Sequence, residues 1–423
     1  MHEEIKSVIT CDLDGKVETF SEGAQDLFGY TREEVIGKVR VSDFSHGEVV
    51  LGHVINWLKI AVEKGAWEGE TVFLDKHKNE IPCRIKITPT KDNEGNHIGY
   101  CGVTERIHDK SPNEVRPKIS FVTKLFKWMV IMRLPFLSAT FVPIFAGAAV
   151  ASMMGFPVSW TWLGITLFAG SLLHIGTNTS NDYFDYKSGT DTINYNYSNE
   201  GLNGGSRSIQ MGLISPKGVA IVAAISFSLS AIVGIPLIIK AGLNILWLGL
   251  FGFLSGLFYT APPFNFSSRR GLGELLIGLN FGPFMAAGSA LVQTGQLLPE
   301  AFLAGIPIGF LIAAVVYINE FPDHDSDKRT GKNTLIVTLG PEKARRGYVA
   351  LFASAFISIF LMAINGTFPV LTLAALAAAY FGINSARTLY KYYNDRLLQS
   401  ANWGTIYMHS AAGFLFCIGI WLG

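Results

Sequence analysis

From Leu134 to Asn181 the chain contains no aspartate, glutamate, lysine or arginine. A membrane-crossing helix needs about 20 consecutive apolar residues, so this uncharged run provides for two crossings. Up to about Pro117, by contrast, charges recur every few residues. The averages of 49% hydrophobic and 16% charged over 423 residues therefore conceal two regions, and composition puts their junction near residues 115 to 125. A net charge of +1 without a long basic run gives phosphate no concentrated basic face, so a nucleic-acid partner is not expected. Cys11, Cys83, Cys101 and Cys417 are scattered, with neither zinc-binding spacing nor a disulfide framework, and are expected as buried thiols. The opening Met1-His2-Glu3-Glu4 lacks the apolar core of a signal peptide, so the first region is expected to stay cytoplasmic.

In that region, Ser7 to Cys11 alternates as a strand, Asp14-Gly15 supplies a tight turn, and Val17 to Phe20 returns. Ser21 suits the N-cap of a helix through Leu27, and Thr31 with Glu34 forms a capping box before a helix over Arg32 to Ile36. An amphipathic helix is expected over Val49 to Lys64, then strands over Trp67 to Asp75, Ile81 to Thr90 and His97 to Glu105. This order, with Asp12-Leu13-Asp14-Gly15, Gly29-Tyr30-Thr31-Arg32-Glu33-Glu34-Val35-Ile36-Gly37 and Asp92-x-x-Gly95, resembles PAS domains. The resemblance implies an α/β domain with a five-stranded antiparallel sheet over residues 1–115, a sensing role, and a surface that could pair two chains as a homodimer. Its ligand is left open. Lys38-Val39-Arg40-Val41-Ser42-Asp43 stands where a light-sensing flavin type would carry a reactive cysteine, so photochemistry is not expected.

A linker over 116–127 leads to an all-α membrane domain over 128–423. Nine apolar stretches are expected as transmembrane helices: 128–152, 160–183, 216–239, 243–262, 273–294, 301–321, 347–364, 367–388 and 403–422. With a cytoplasmic N-terminus, the loops 184–215, 263–272, 322–346 and 389–402 face the cytoplasm and hold nearly all the loop lysine and arginine. Helix count and charge bias thus agree on a multi-pass protein of the inner membrane.

The second stretch ends in Asn178-Thr-Ser-Asn181-Asp182-Tyr-Phe-Asp185-Tyr-Lys187-Ser-Gly-Thr-Asp191, whose Asn178, Asn181, Asp182 and Asp185 share a helical face. The sixth ends in Asn319-Glu320-Phe-Pro-Asp323-His-Asp-Ser-Asp327-Lys328-Arg-Thr-Gly-Lys332. Carboxylates in a membrane helix are costly unless they face a wet cavity or a cation. One such stripe suits a solvated helix end, but two matching stripes four spans apart, on the same membrane side, point to internal duplication and a shared site. Two converging acidic clusters suit two Mg²⁺ ions, each held by one or two carboxylates and completed by water and diphosphate oxygens. Lys187, Arg207, Lys328 and Lys332 could neutralise the diphosphate, and Gly204-Gly205-Ser206 could bring backbone N–H groups close to it.

These clusters resemble the paired aspartate-rich motifs of the UbiA superfamily of intramembrane prenyltransferases. Asn-Asp-Tyr-Phe-Asp-Tyr-Lys-x-Gly, Gly-Gly-Ser-Arg at 204–207 and Asn-Glu-Phe-Pro-Asp are closer to its menaquinone-forming, MenA-like branch. The first motif departs from the broad pattern at Gly189, and Asp191 is the candidate replacement. The resemblance implies Asp182, Asp185, Asp323 and Asp327 as catalytic residues, and Asp182, Asp185, Asp191, Glu320, Asp323 and Asp327 as ligands of two Mg²⁺ ions. Asn178, Asn181, Lys187, Arg207, Tyr259, Arg270, Lys328 and Lys332 would bind substrate. It further implies ionisation of an allylic prenyl diphosphate, shielding of the carbocation by aromatic rings, and attack by an aromatic acceptor, 1,4-dihydroxy-2-naphthoate in the MenA-like branch. Candidates for shielding are Tyr183, Phe184, Phe258, Tyr259 and Tyr317. Other acceptors (hydroxybenzoate, homogentisate, a glycerol-phosphate lipid) and a catalytically silent prenyl-lipid receptor signalling through the PAS domain are the alternatives.

Overall fold

The computed structural model describes residues 6–194 and 205–423. The chain forms two units, Met1–Ile131 with Arg207–Ser215, and Met132–Ser206 with Pro216–Gly423.

The first unit is built on five antiparallel strands, β1 (Ser7–Asp12), β2 (Val17–Phe20), β3 (Trp67–Leu74), β4 (Glu80–Lys91) and β5 (His97–Arg106), in the order β2-β1-β5-β4-β3. Three of its turns share one device, an aspartate whose Oδ1 accepts backbone N–H groups two and four residues ahead. Asp12 receives Asp14 and Lys16, Asp75 receives His77 and Asn79, and Asp92 receives Glu94 and Asn96, all at 2.8–2.9 Å. Ser21 caps α1 (Glu22–Phe28) by accepting from the Ala24 N–H, and Glu34 accepts from Thr31 to open α2 (Arg32–Val35). The expected helix over 49–64 begins earlier, at Gly47, and passes through a wider turn at Val50–Val54 before α3 (Ile55–Lys64). The core is aromatic: Phe28 packs on Phe44 at 4.7 Å and edge-on to Phe73 at 5.8 Å between ring centres.

The linker and the start of the first expected span form a separate helix, α4 (Phe121–Ile131). It stops at Arg133, whose φ of 53° is left-handed, and Pro135 opens a tighter turn before α5 (Ser138–Met153). The first span therefore starts at Leu134, not at residue 128.

The second unit is helical: α6 (Trp160–Ser188), α7 (Thr190–Ile193), α8 (Pro216–Ala241), α9 (Leu243–Leu257), α10 (Leu272–Thr294), α11 (Pro299–Thr330), α12 (Pro341–Ile364), α13 (Val370–Tyr392) and α14 (Gln399–Leu422). Among the described residues seven helical segments are long and apolar enough to cross a membrane: Leu134–Met153, α8 and α10 to α14. The α9 helix is apolar but shorter, and α6 is long but carries the first acidic stripe at its end. Helices α10 and α11 meet through glycines, because a Cβ on Gly282 would lie 2.5 Å from the Gly305 carbonyl and 2.7 Å from Gly309 Cα. Pro283 and the non-helical Gly282 kink α10 at this contact.

Candidate active site

Each acidic stripe rides the end of a long helix, and each helix stops at a left-handed glycine, Gly189 (φ 82°) after α6 and Gly331 (φ 79°) after α11. These stops turn the chain back over the stripes. After Gly189, α7 brings Asp191 and Asn194 to the same cavity as Asn178, Asn181 and Asp185. After Gly331, Lys332 returns to it. The two ends are tied together: Asn194 Nδ2 donates to Asp323 Oδ1 at 2.7 Å, and the Thr190 hydroxyl to that of Thr330 at 3.1 Å.

The cavity has a volume of about 650 Å³ and lies within the helical unit. Its polar end holds Asn178, Asn181, Asp185, Asp191, Asn194, Asn319, Glu320, Asp323, Asp327 and Lys332, and the rest is mainly apolar wall from α5, α6 and α8 to α11. Asp182, Asp185, Asp191 and Asp327 are all buried. Lys332 Nζ is 2.5 Å from Asp185 Oδ1 and 3.8 Å from Asp327 Oδ1. Burial alone would lower the pKa of this lysine, but Asp185 and Asp327 outweigh it and hold it above its ordinary value, so it stays a cation.

Gly205 lies against the first stripe. Its φ is 72°, and a Cβ there would stand 2.7 Å from Asp182 Oδ1 and 3.3 Å from Asp191 Oδ2. The neighbouring Ser206 N–H donates to Asp182 Oδ1 at 3.1 Å. The expected open backbone donor is thus turned onto a carboxylate; Gly204 lies outside the described residues.

The other expected residues separate. Tyr259 lines the cavity, whereas Lys187, Lys328 and Arg270 are exposed and do not. Lys187 follows Asp185 by two residues, about 200° around a helix, which turns it away from the stripe. Arg207 groups with the first unit and is not among the lining residues. Tyr183, Phe184, Phe258 and Tyr317 are likewise absent from the lining, and the Tyr317 hydroxyl donates to the Ala344 carbonyl at 2.9 Å. In their place Phe253, Phe281 and Phe284 face the cavity. Arg133 also lines it, close enough for its charge to act on Asp182 and His174. The ring of His174 packs on Phe281 at 4.8 Å, with Nδ1 2.8 Å from the Thr140 hydroxyl.

The donor set fits hard cations. Among the described residues at this end, Asp182, Asp185, Asp191, Glu320, Asp323 and Asp327 outnumber the cations Arg133 and Lys332. Asp182 Oδ2 and Glu320 Oε2 are buried without a hydrogen-bond partner. No three of the described acidic, histidine or cysteine groups close a metal shell by themselves. Mg²⁺ does not require one, since it is commonly held by one or two carboxylates with water and phosphate oxygens.

A family model described as the UbiA prenyltransferase family matches residues 140–411, and a PAS domain model matches residues 6–107. The chain is 29% identical over 230 residues to the 1,4-dihydroxy-2-naphthoate octaprenyltransferase of Bacillus subtilis (strain 168), covering 54% of this chain and 71% of that protein. It is 27% identical over 312 residues to the protein of the same name from Escherichia coli (strain K12), covering 71% and 97%. The apo structure of a UbiA homolog from Aeropyrum pernix K1 shares the fold, with a TM-score of 0.52 at 17% identity over 67% of this chain and 97% of that one.

Proposed function

The chain belongs to the UbiA prenyltransferase family, as a multi-pass membrane enzyme with an N-terminal PAS domain, and from that premise we propose that it transfers a polyprenyl group from an allylic diphosphate to 1,4-dihydroxy-2-naphthoate, a step of menaquinone biosynthesis. The observation that carries this reading is the division of one cavity into an acidic, cation-hungry end and a long apolar wall, matching the two ends of a prenyl diphosphate. The name shared by the Bacillus subtilis and Escherichia coli relatives supports the acceptor.

Asp182, Asp185 and Asp191 on one side, and Glu320, Asp323 and Asp327 on the other, would hold Mg²⁺, two ions in this reading. Bound there, the metal would neutralise the diphosphate and make it a better leaving group. Lys332 and Arg133 add fixed positive charge toward the leaving oxygens, and Asn178, Asn181 and Asn319 offer amide donors. The apolar wall would exclude water from the allylic cation, and Phe281 and Phe284 in that wall are the aromatic rings available to shield it. Tyr259 stands at the same end as the carboxylates, suited to orient the acceptor. In this reading α6 and α9 also cross, which would bring the seven candidate spans to nine. With a cytoplasmic N-terminus, nine spans would bring the basic loops, the acidic end and the PAS domain to the cytoplasmic side of the inner membrane.

The test is transfer of a labelled prenyl group in vesicles containing the protein, with dihydroxynaphthoate, hydroxybenzoate, homogentisate and glycerol-phosphate acceptors compared at several prenyl lengths. Preference for dihydroxynaphthoate, and loss of transfer on chelation of Mg²⁺ or in Asp182→Ala and Asp323→Ala, is expected. Full activity in both variants would remove the site assignment.

A further inference from the structure

Residues 207–215 follow the Asp182-bound Ser206 directly and lead into α8, yet they belong to the PAS unit. The segment is folded on itself. Met211 N–H donates to the Arg207 carbonyl at 2.9 Å, Gly212 to Ile209 at 3.0 Å and Leu213 to Ser208 at 2.9 Å, with Arg207 and Gly212 both left-handed. Ser208 and Leu213 are buried.

Its seat on the PAS unit is Gly47. The Gly47 N–H donates to the Met211 carbonyl at 3.0 Å. A Cβ at Gly47 would collide with that carbonyl oxygen and lie 2.7 Å from Leu213 Cδ2, so a side chain is excluded there. The residues on either side of Gly47 are fastened to different parts of the unit. His46 Nε2 pairs with Glu80 at the start of β4 at 2.9 Å, and Glu80 also receives Arg116 from the linker. Glu48 pairs with Lys127 of α4 at 2.8 Å, ahead of the first span. Gly47 is therefore where the sheet, the linker and the turned segment are joined by short polar contacts.

We propose that the PAS domain binds residues 207–215 as an intrachain ligand, and that the grip of Gly47 on Met211 and Leu213 sets the placement of Gly205 and Ser206 against Asp182. The state of the PAS domain then reaches the transferase site through the peptide backbone, without a messenger. The inference rests on the reading of Asp182 as part of the diphosphate site. The chain itself supplies the coupling: one peptide bond separates the amide on Asp182 from the segment held by the PAS unit.

The experiment compares full-length wild type, Gly47→Ala, Leu213→Ala and the exposed Lys59→Ala in vesicles. Amide hydrogen exchange over residues 206–213 reads the grip, and KM against kcat for a prenyl diphosphate reads the coupling. Protection of Cys11 from alkylation reports that the PAS fold is intact. Gly47→Ala and Leu213→Ala should raise exchange over 206–213 by about tenfold and shift KM for the diphosphate several-fold, with Cys11 protected and Lys59→Ala like wild type. Should Gly47→Ala lose Cys11 protection, Leu213→Ala, which adds no backbone clash, decides. Unchanged exchange in a folded variant overturns the grip, and raised exchange with wild-type kinetics overturns the coupling. The exchange readout does not depend on activity, so it stands apart from failure of Asp182→Ala to impair transfer.

Discussion

Lys332 and Asp185 form a buried ion pair, with Nζ 2.5 Å from Oδ1, that joins the turn after the second acidic stripe to the helix of the first. The pair bridges the two repeated motifs, and it puts a cation among carboxylates that otherwise repel one another.

Removing that cation leaves Asp185 and Asp327 unbalanced. Lys332→Ala should therefore lower kcat/KM for the prenyl diphosphate by about a hundredfold or more, whereas Lys187→Ala and Lys328→Ala, whose side chains are exposed, should stay within about threefold of wild type. Steady-state transfer assays in vesicles check the contrast. Equal losses in all three would show that the exposed lysines also reach substrate.

Gly205 tests the backbone's part. A methyl group there meets Asp182 Oδ1 at 2.7 Å on a left-handed residue, so Gly205→Ala carries both a steric and a conformational cost of about 1–2 kcal/mol. The expected outcome is a fall in transfer rate of at least about tenfold with little change in the thermal unfolding of the helical unit.

The apolar wall predicts control over chain length. Gly234 of α8 lines the cavity, and a Cβ there would have nothing within 4 Å. Gly234→Phe should fill that space, favouring short prenyl diphosphates over long ones by about tenfold in kcat/KM. Competition between two labelled chain lengths measures the ratio.

Burial pushes the Cys11 thiol up to about 12 from an ordinary value of 9.0. The thiolate is the reactive form, so iodoacetamide at pH 8 should leave Cys11 unmodified in the folded protein and label it in urea. The sign of the linkage follows. The folded state holds this proton more tightly, so its contribution to stability is full below about pH 9 and is lost as pH rises toward 12. Mass spectrometry of labelled peptides across that range checks both statements.

The acidic stripes were legible because helical periodicity alone puts Asn178, Asn181, Asp182 and Asp185 on one face. The strands of the PAS unit were legible through alternation and the aspartates at their turns. Arg133 was not, because it belongs to no acidic motif and is brought to the cavity by a left-handed break that interrupts an apolar run. Asn194 was missed because it lies beyond the glycine stop, where helical periodicity carries no information. Phe281 and Phe284 flank the kink at Gly282 and Pro283; an apolar run read as one span over 273–294 does not show which of its rings reach the cavity. Of the three lysines beside the stripes only Lys332 lines the cavity, since charge near a motif does not say which face it occupies.

The glycine contact between α10 and α11 has a further consequence. It leaves α10 and α11 no room for a side chain between them, while α8, on another side of the same cavity, presents Ile221, Ile225, Ile232 and Ile239 outward. In a bilayer, that exposed isoleucine face of α8 is the one left for acyl chains to cover. Turnover in a detergent micelle and in bilayers of different thickness is thus expected to differ as a property of the enzyme, and the lipid belongs among its reaction conditions alongside pH and salt.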